Sequence, residues 1–127
     1  MSLREYLEQV KSNLQTFEDY GLSEPIDFSA EIRPGSQAVL KVTVQLIDTS
    51  ELYLREYLLE KGAIQRLSYA YQYQTRDGKL IFRYDNAAHR PPLGFEDHRH
   101  DTNGRIAPAA PPSIQALVQE VINYMTR

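Results

Sequence analysis

The residues most able to do chemistry lie between positions 83 and 100. Arg83-Tyr84-Asp85-Asn86-Ala87-Ala88-His89 is followed by His98-Arg99-His100, and the chain has no other histidine. Imidazole titrates near neutrality, so one histidine can take a proton while another delivers one. That division of labour suits cleavage of RNA through its 2′-hydroxyl. His89 and one of His98 or His100 would be base and acid, with Asp85 orienting a histidine. Arg83, with Arg55, would stabilise charge building on the phosphoryl oxygens. His98-Arg99-His100 also reads as a metal pair, with Asp97, Asp101 or His89 as further ligands. Glycine-rich phosphate loops, Ser-His-Asp spacing and HExxH are absent. The primary expectation is acid/base chemistry with no metal and no cofactor.

These side chains must be held by defined elements. Leu3, Tyr6, Leu7, Val10, Leu14 and Phe17 recur at helical spacing behind a Ser2/Glu5 capping box, and Gly21 stops the run, predicting a helix over 3–20. From about 26 to 86 the period changes to two. Ala38, Leu40, Val42, Val44 and Leu46 alternate with Lys41, Thr43 and Gln45, as in a half-buried strand. A shorter run at 27–33 and further runs at 51–60, 65–74 and 79–85 complete a five-stranded antiparallel meander. Asp77-Gly78 reads as a type I′ turn. That turn pairs Tyr73 with Phe82, Tyr71 with Tyr84, Gln72 with Arg83 and Ala70 with Asp85. Arg83 and Asp85 then share a polar face with Gln72.

Glu56 breaks the apolar parity of Leu52, Leu54 and Leu58. It requires a bulge or a cationic partner, with Arg83 and Arg55 the candidates. The tyrosines Tyr53, Tyr57, Tyr69, Tyr71, Tyr73 and Tyr84 alternate as a core does, and would stack bases only where exposed. Residues 86–112 hold five of the seven prolines and all three histidines, and read as a long loop, functional or disordered. Ser113 then caps a second amphipathic helix through Ile114, Leu117, Val118, Val121, Ile122 and Met125.

Composition sets the frame. The 127 residues fit one α+β domain, and 42% apolar content is enough for a core. No run approaches a membrane span, and Met1–Glu5 lacks the apolar stretch of a secretory signal. Absence of cysteine excludes disulfides and thiolate chemistry and fits a reducing cytoplasm. The formal charge of −3 excludes a generally basic nucleic-acid coat protein. Charge is unevenly placed: residues 1–31 carry two bases against seven acids, and ten of all fourteen bases are arginine.

The string Tyr69-Ala70-Tyr71-Gln72-Tyr73-Gln74, Asp77-Gly78, Leu80-Ile81-Phe82-Arg83-Tyr84-Asp85-Asn86-Ala87, His89 and His98-Arg99-His100 resembles the TumE-type toxin family of bacterial toxin–antitoxin systems. The similarity covers roughly residues 45–125. It implies a small cytoplasmic growth inhibitor with ribonuclease-like action, neutralised by a DNA-binding antitoxin encoded beside it. Arg83, Asp85, Asn86, His89, His98 and His100 occupy the family's motif positions. Gln72, Arg90 and Asp97 stand where members often carry histidine, which would suit a weakened or inactive relative.

The combined expectation is a toxin that cleaves RNA with Arg83, Asp85, His89, His98 and His100, and holds it with Arg55, Gln72, Asn86 and Arg99. A non-catalytic protein-interaction module and a metal-dependent hydrolase built on His98 and His100 are the competing readings. Unpaired sheet edges would allow a homodimer.

Overall fold

The computed structural model describes all residues 1–127. Seven strands form one antiparallel sheet in sequential order: β1 (Asp27–Arg33), β2 (Gln37–Gln45), β3 (Glu51–Lys61), β4 (Ala63–Gln74), β5 (Leu80–Asp85), β6 (His98–Asp101) and β7 (Ile106–Pro108). Helices α1 (Leu3–Asp19) and α2 (Ile114–Met125) pack on each other and on one sheet face. Neither helix is long and apolar enough to cross a membrane.

Amphipathicity explains the layering. α1 buries Leu3, Leu7, Val10, Leu14 and Phe17; α2 buries Ile114, Leu117, Val118 and Val121. They close over Ala38, Leu40, Val42 and Val44 of β2, Leu52, Leu54 and Leu58 of β3, and Tyr69, Tyr71, Tyr73 and Phe82 of β4 and β5. Ser2 and Glu5 make the expected capping box, and Ser113 caps α2 by accepting the Ala116 N–H. Alternation along each strand sends the intervening side chains to the opposite face, which no helix covers.

Two expectations are corrected. The sheet has seven strands, not five, because β6 and β7 lie inside the stretch read as loop. Their residues are polar or proline-bearing, so no apolar alternation betrays them; pairing with β5 makes them strands.

The β4–β5 turn is also different. Gly78 has φ +85°, but Asp77 is not in the left-handed region that a type I′ turn requires of both residues. Thr75 and Lys79 close a three-residue loop, Thr75 N–H donating to the Lys79 carbonyl at 2.9 Å. The Thr75 hydroxyl also accepts the Lys79 N–H at 3.1 Å, a side-chain bond that selects this turn. The one-residue offset is absorbed where Gln74 pairs with Leu80 but Tyr73 pairs with Phe82, leaving Ile81 as the extra residue. Beyond it the four predicted pairs, Tyr73–Phe82, Gln72–Arg83, Tyr71–Tyr84 and Ala70–Asp85, all form.

Candidate active site

Two cross-strand rows on the uncovered face lead to the site. The first runs Lys41, Arg55, Ala70, Asp85, His98; the second runs Thr43, Tyr53, Gln72, Arg83, His100. β5 and β6 therefore present Arg83, Asp85, His98 and His100 as one two-by-two patch. The chain leaving β5 folds back and adds His89. Asp85, His89, His98 and His100 each bring a ligand-type atom within 4.8 Å of the others.

Asp85 is the hub. Its Oδ2 accepts from Arg83 Nε at 2.6 Å, and its Oδ1 accepts the Ala87 N–H at 3.0 Å. His98 Nε2 lies 2.7 Å from Oδ1, and His100 Nε2 lies 3.5 Å from Oδ2. Burial alone would raise the carboxyl's pKa. The Arg83 bond, the Ala87 N–H, the arginine charge and His98 outweigh it and hold Asp85 below the usual carboxylate range. Gln72 accepts from Arg83 Nη1 at 2.6 Å and so aims the guanidinium.

His98 is fully buried, with Phe95 and His89 packed around its ring. Its Nδ1 sits 2.8 Å from the Glu96 carbonyl, which can only accept, so Nδ1 carries a hydrogen. Nε2 then faces both Asp85 Oδ1 and, at 3.0 Å, His89 Nε2. A bare lone pair there would oppose a carboxylate oxygen; a proton or another cation belongs between these atoms. His89 and His100 are only partly buried, with ring centroids 5.6 Å apart. Burial pushes the His100 pKa down; Asp85 opposes this, while His98, His89 and Arg83 add to it.

The remaining candidates divide. Gln72 and Arg55 share the open face with Arg83. Asn86 faces β4 instead, its amide bonding the Tyr69 N–H at 3.1 Å and the Leu67 carbonyl at 3.0 Å. Arg99 projects to the helix face, donates to Glu120 at 2.8 Å and lies over the Phe82 and Tyr84 rings. Asp97 accepts from the Tyr69 hydroxyl and Asp101 caps the β6–β7 turn, so neither joins the histidines. The carboxylate that does is Asp85. Lys41, outside the predicted set, lies beside Arg55; its position in an amphipathic strand carried no sign of a role.

Glu56 is fully buried on the helix face, with a register shift just beyond it at Tyr57/Leu58. Its partners are the hydroxyls of Tyr6, at 2.7 Å, and Tyr71; neither Arg83 nor Arg55, which lie on the opposite face, bonds to it. The cation is Arg66, one step removed, donating to the Tyr71 oxygen at 2.9 Å and the Pro112 carbonyl at 2.7 Å. Tyr69, Tyr71 and Tyr73 are core residues, whereas Tyr53 is exposed on the open face.

Comparison with curated proteins gives no match, and none is found among solved structures. A family model described as Toxin TumE matches residues 13–127, reaching further toward the N-terminus than the motif resemblance. With nearly the whole chain matched, including every strand, both rows of the open face and all three histidines, the protein belongs to the Toxin TumE family.

Proposed function

We propose that the protein is the toxin of a toxin–antitoxin pair and cleaves RNA at the Arg83–Asp85–histidine cluster. The observation that carries this is the convergence of Arg83, Asp85, His89, His98 and His100 at the edge of an uncovered, cation-bearing sheet face. A phosphodiester beside Arg83 would meet a guanidinium already aimed by Gln72 and Asp85. His100, held toward its neutral form, accepts the 2′-hydroxyl proton. His89, the other partly exposed imidazole, protonates the leaving 5′-oxygen. The 2′-oxygen bonds to phosphorus as the 5′-oxygen departs, yielding a cyclic phosphate. Buried His98 is a positioning residue, linking Asp85 to His89.

The toxin family makes an antitoxin the natural partner. A DNA-binding antitoxin, and a homodimer formed through β1 or β7, remain part of this reading. The test is induction of the chain in bacteria with total RNA sampled afterwards. Growth arrest with new fragments is expected, and both effects should vanish on His89→Ala or Arg83→Ala. Normal toxicity in both variants would sink the assignment. Arrest with intact RNA would instead select an interaction module acting by occupancy.

One observation favours a second reading. Three imidazoles and a carboxylate within 4.8 Å form a donor set of the kind that holds a zinc-like ion, and the Glu96 carbonyl orients His98 as a metal ligand's outer nitrogen is often oriented. Calorimetry with zinc decides between them: one-to-one binding together with cleavage lost to chelator selects the metal-dependent mechanism.

A further inference from the structure

The uncovered sheet face holds a groove of about 480 Å³ running away from the histidines. Its charged lining residues are Lys41, Arg55 and Arg83, with no carboxylate among them, in a chain of net charge −3. Ala70, between Arg55 and Asp85 in the first row, keeps the floor low. Gln72, Gln74 and Thr43 add amide and hydroxyl groups. Glu51, at the rim, is tied to the Tyr53 hydroxyl.

Lys41 and Arg55 are direct cross-strand partners on neighbouring strands. Both are exposed, and neither makes an ion pair or a side-chain hydrogen bond. Arg4, Arg76, Arg90 and Arg105 also lack side-chain partners, but none of them lines this groove; Arg83, the groove's third cation, is tied to Asp85 and Gln72. Like charges directly opposite on a sheet destabilise it, so this pair costs stability for nothing inside the protein. A polyanion would relieve it.

We infer that the Lys41–Arg55 pair is a phosphate-binding subsite for single-stranded RNA, with the strand lying across β2–β5 and its scissile phosphate at Arg83. Four strands at sheet spacing span roughly 15 Å, which places the subsite beyond the nucleotides that react. Exposed Tyr53 offers a face on which an unpaired base stacks, which favours a single strand over a duplex. This rests on the cleavage reading for its register only; the binding itself is separable from chemistry.

The test uses the full-length chain carrying His89→Ala, so that RNA survives, and a fluorescent oligouridylate with a duplex of equal length as control. Arg55→Glu in that background is expected to weaken single-strand binding at least tenfold. It should also raise the melting temperature, because it replaces a like-charge pair with an attractive one. Removing both cations should lower the slope of log affinity against log salt by about 1.4, the value for two phosphate contacts on a single strand. Lys11→Glu, on the helix layer, should change binding little. Groove-dependent binding with no cleavage by the unsubstituted chain would overturn the catalytic reading and keep the subsite. No single-strand binding, equal binding of duplex, or equal losses from Arg55→Glu and Lys11→Glu would overturn the subsite. So would Arg55→Glu abolishing capture of the antitoxin while RNA binding persists, which would assign the face to a protein.

Discussion

The two sheet faces each bury one carboxylate, and the two are built for different ends. Glu56, under the helices, meets hydroxyls whose protons burial and the neighbouring negative charge lock in place. Tyr6 and Tyr71 both have strongly raised pKa values, from burial first and Glu56 second. Neither hydroxyl gives up its proton near neutrality. Asp85, on the open face, meets an arginine and imidazoles, and two of those imidazoles reach the surface. Burying a charge against tyrosine makes structure. Burying one against histidine, beside an open groove, is the arrangement that the proposed proton transfers require.

The sharpest way to break this contrast is to remove one member from each side. His89→Ala and His100→Ala should each lower RNA cleavage by about 10²–10⁴-fold, the usual contribution of a positioned acid or base. Their melting temperatures should change less than that of a core variant, because both side chains are only partly buried and neither belongs to the apolar core. Glu56→Ala should do the reverse. It takes the acceptor from the Tyr6 and Tyr71 hydroxyls, leaving Tyr71 only its bond from Arg66, and opens a cavity in the helix-covered core, costing about 3–5 kcal/mol in a denaturant titration. A loss of cleavage in Glu56→Ala beyond what its unfolded fraction explains would blur the division between the two faces.

Acidity sharpens the comparison further. The folded Asp85 carboxyl lies below its unfolded value, so it adds stability above about pH 3.9, lost as pH falls through the folded pKa. Asp85→Asn should therefore be less stable than the parent at pH 7, by roughly 1–3 kcal/mol, and the gap should close below about pH 4. His100 is lowered in the fold, so the acid limb of a cleavage profile should fall below the ordinary imidazole value of about 6.5. A limb above that value would remove His100 from the role of base.

How much of this was legible depended on whether local pattern or tertiary contact decided the outcome. The helices, five strands and the hairpin register were readable, since amphipathic period and turn position act within a few residues. Even the mistaken turn type did no harm, because the bulge at Ile81 restored the expected pairing. β6 and β7 were not readable: polar His98–Asp101 becomes a strand only because β5 offers its edge. Parity on β5 put Arg83, Asp85 and Gln72 together correctly. The same parity, applied to β6, sends Arg99 to the helix face between two histidines that face the other way. The partners of Glu56 lie 50 residues before it and 15 after, and no spacing rule connects Tyr6 to a carboxylate on β3.

The smallest expected effect tests the helix-face cluster most cleanly. Tyr6→Phe keeps the ring and deletes one hydroxyl, so the 2.7 Å bond to Glu56 is lost without opening a cavity. Glu56 retains Tyr71, and Arg66 still holds that hydroxyl from the other side. The carboxylate is thus left with one donor of two, and the cost should be about 1–2 kcal/mol, near that of a single bond to a charged group. Chemical denaturation measures this directly, and cleavage by the folded fraction should match the parent's. A cost several times larger would mean that Tyr6 also sets how α1 docks on β3. Glu56 would then be the residue that registers the helix layer on the sheet, rather than one carboxylate satisfied by interchangeable hydroxyls.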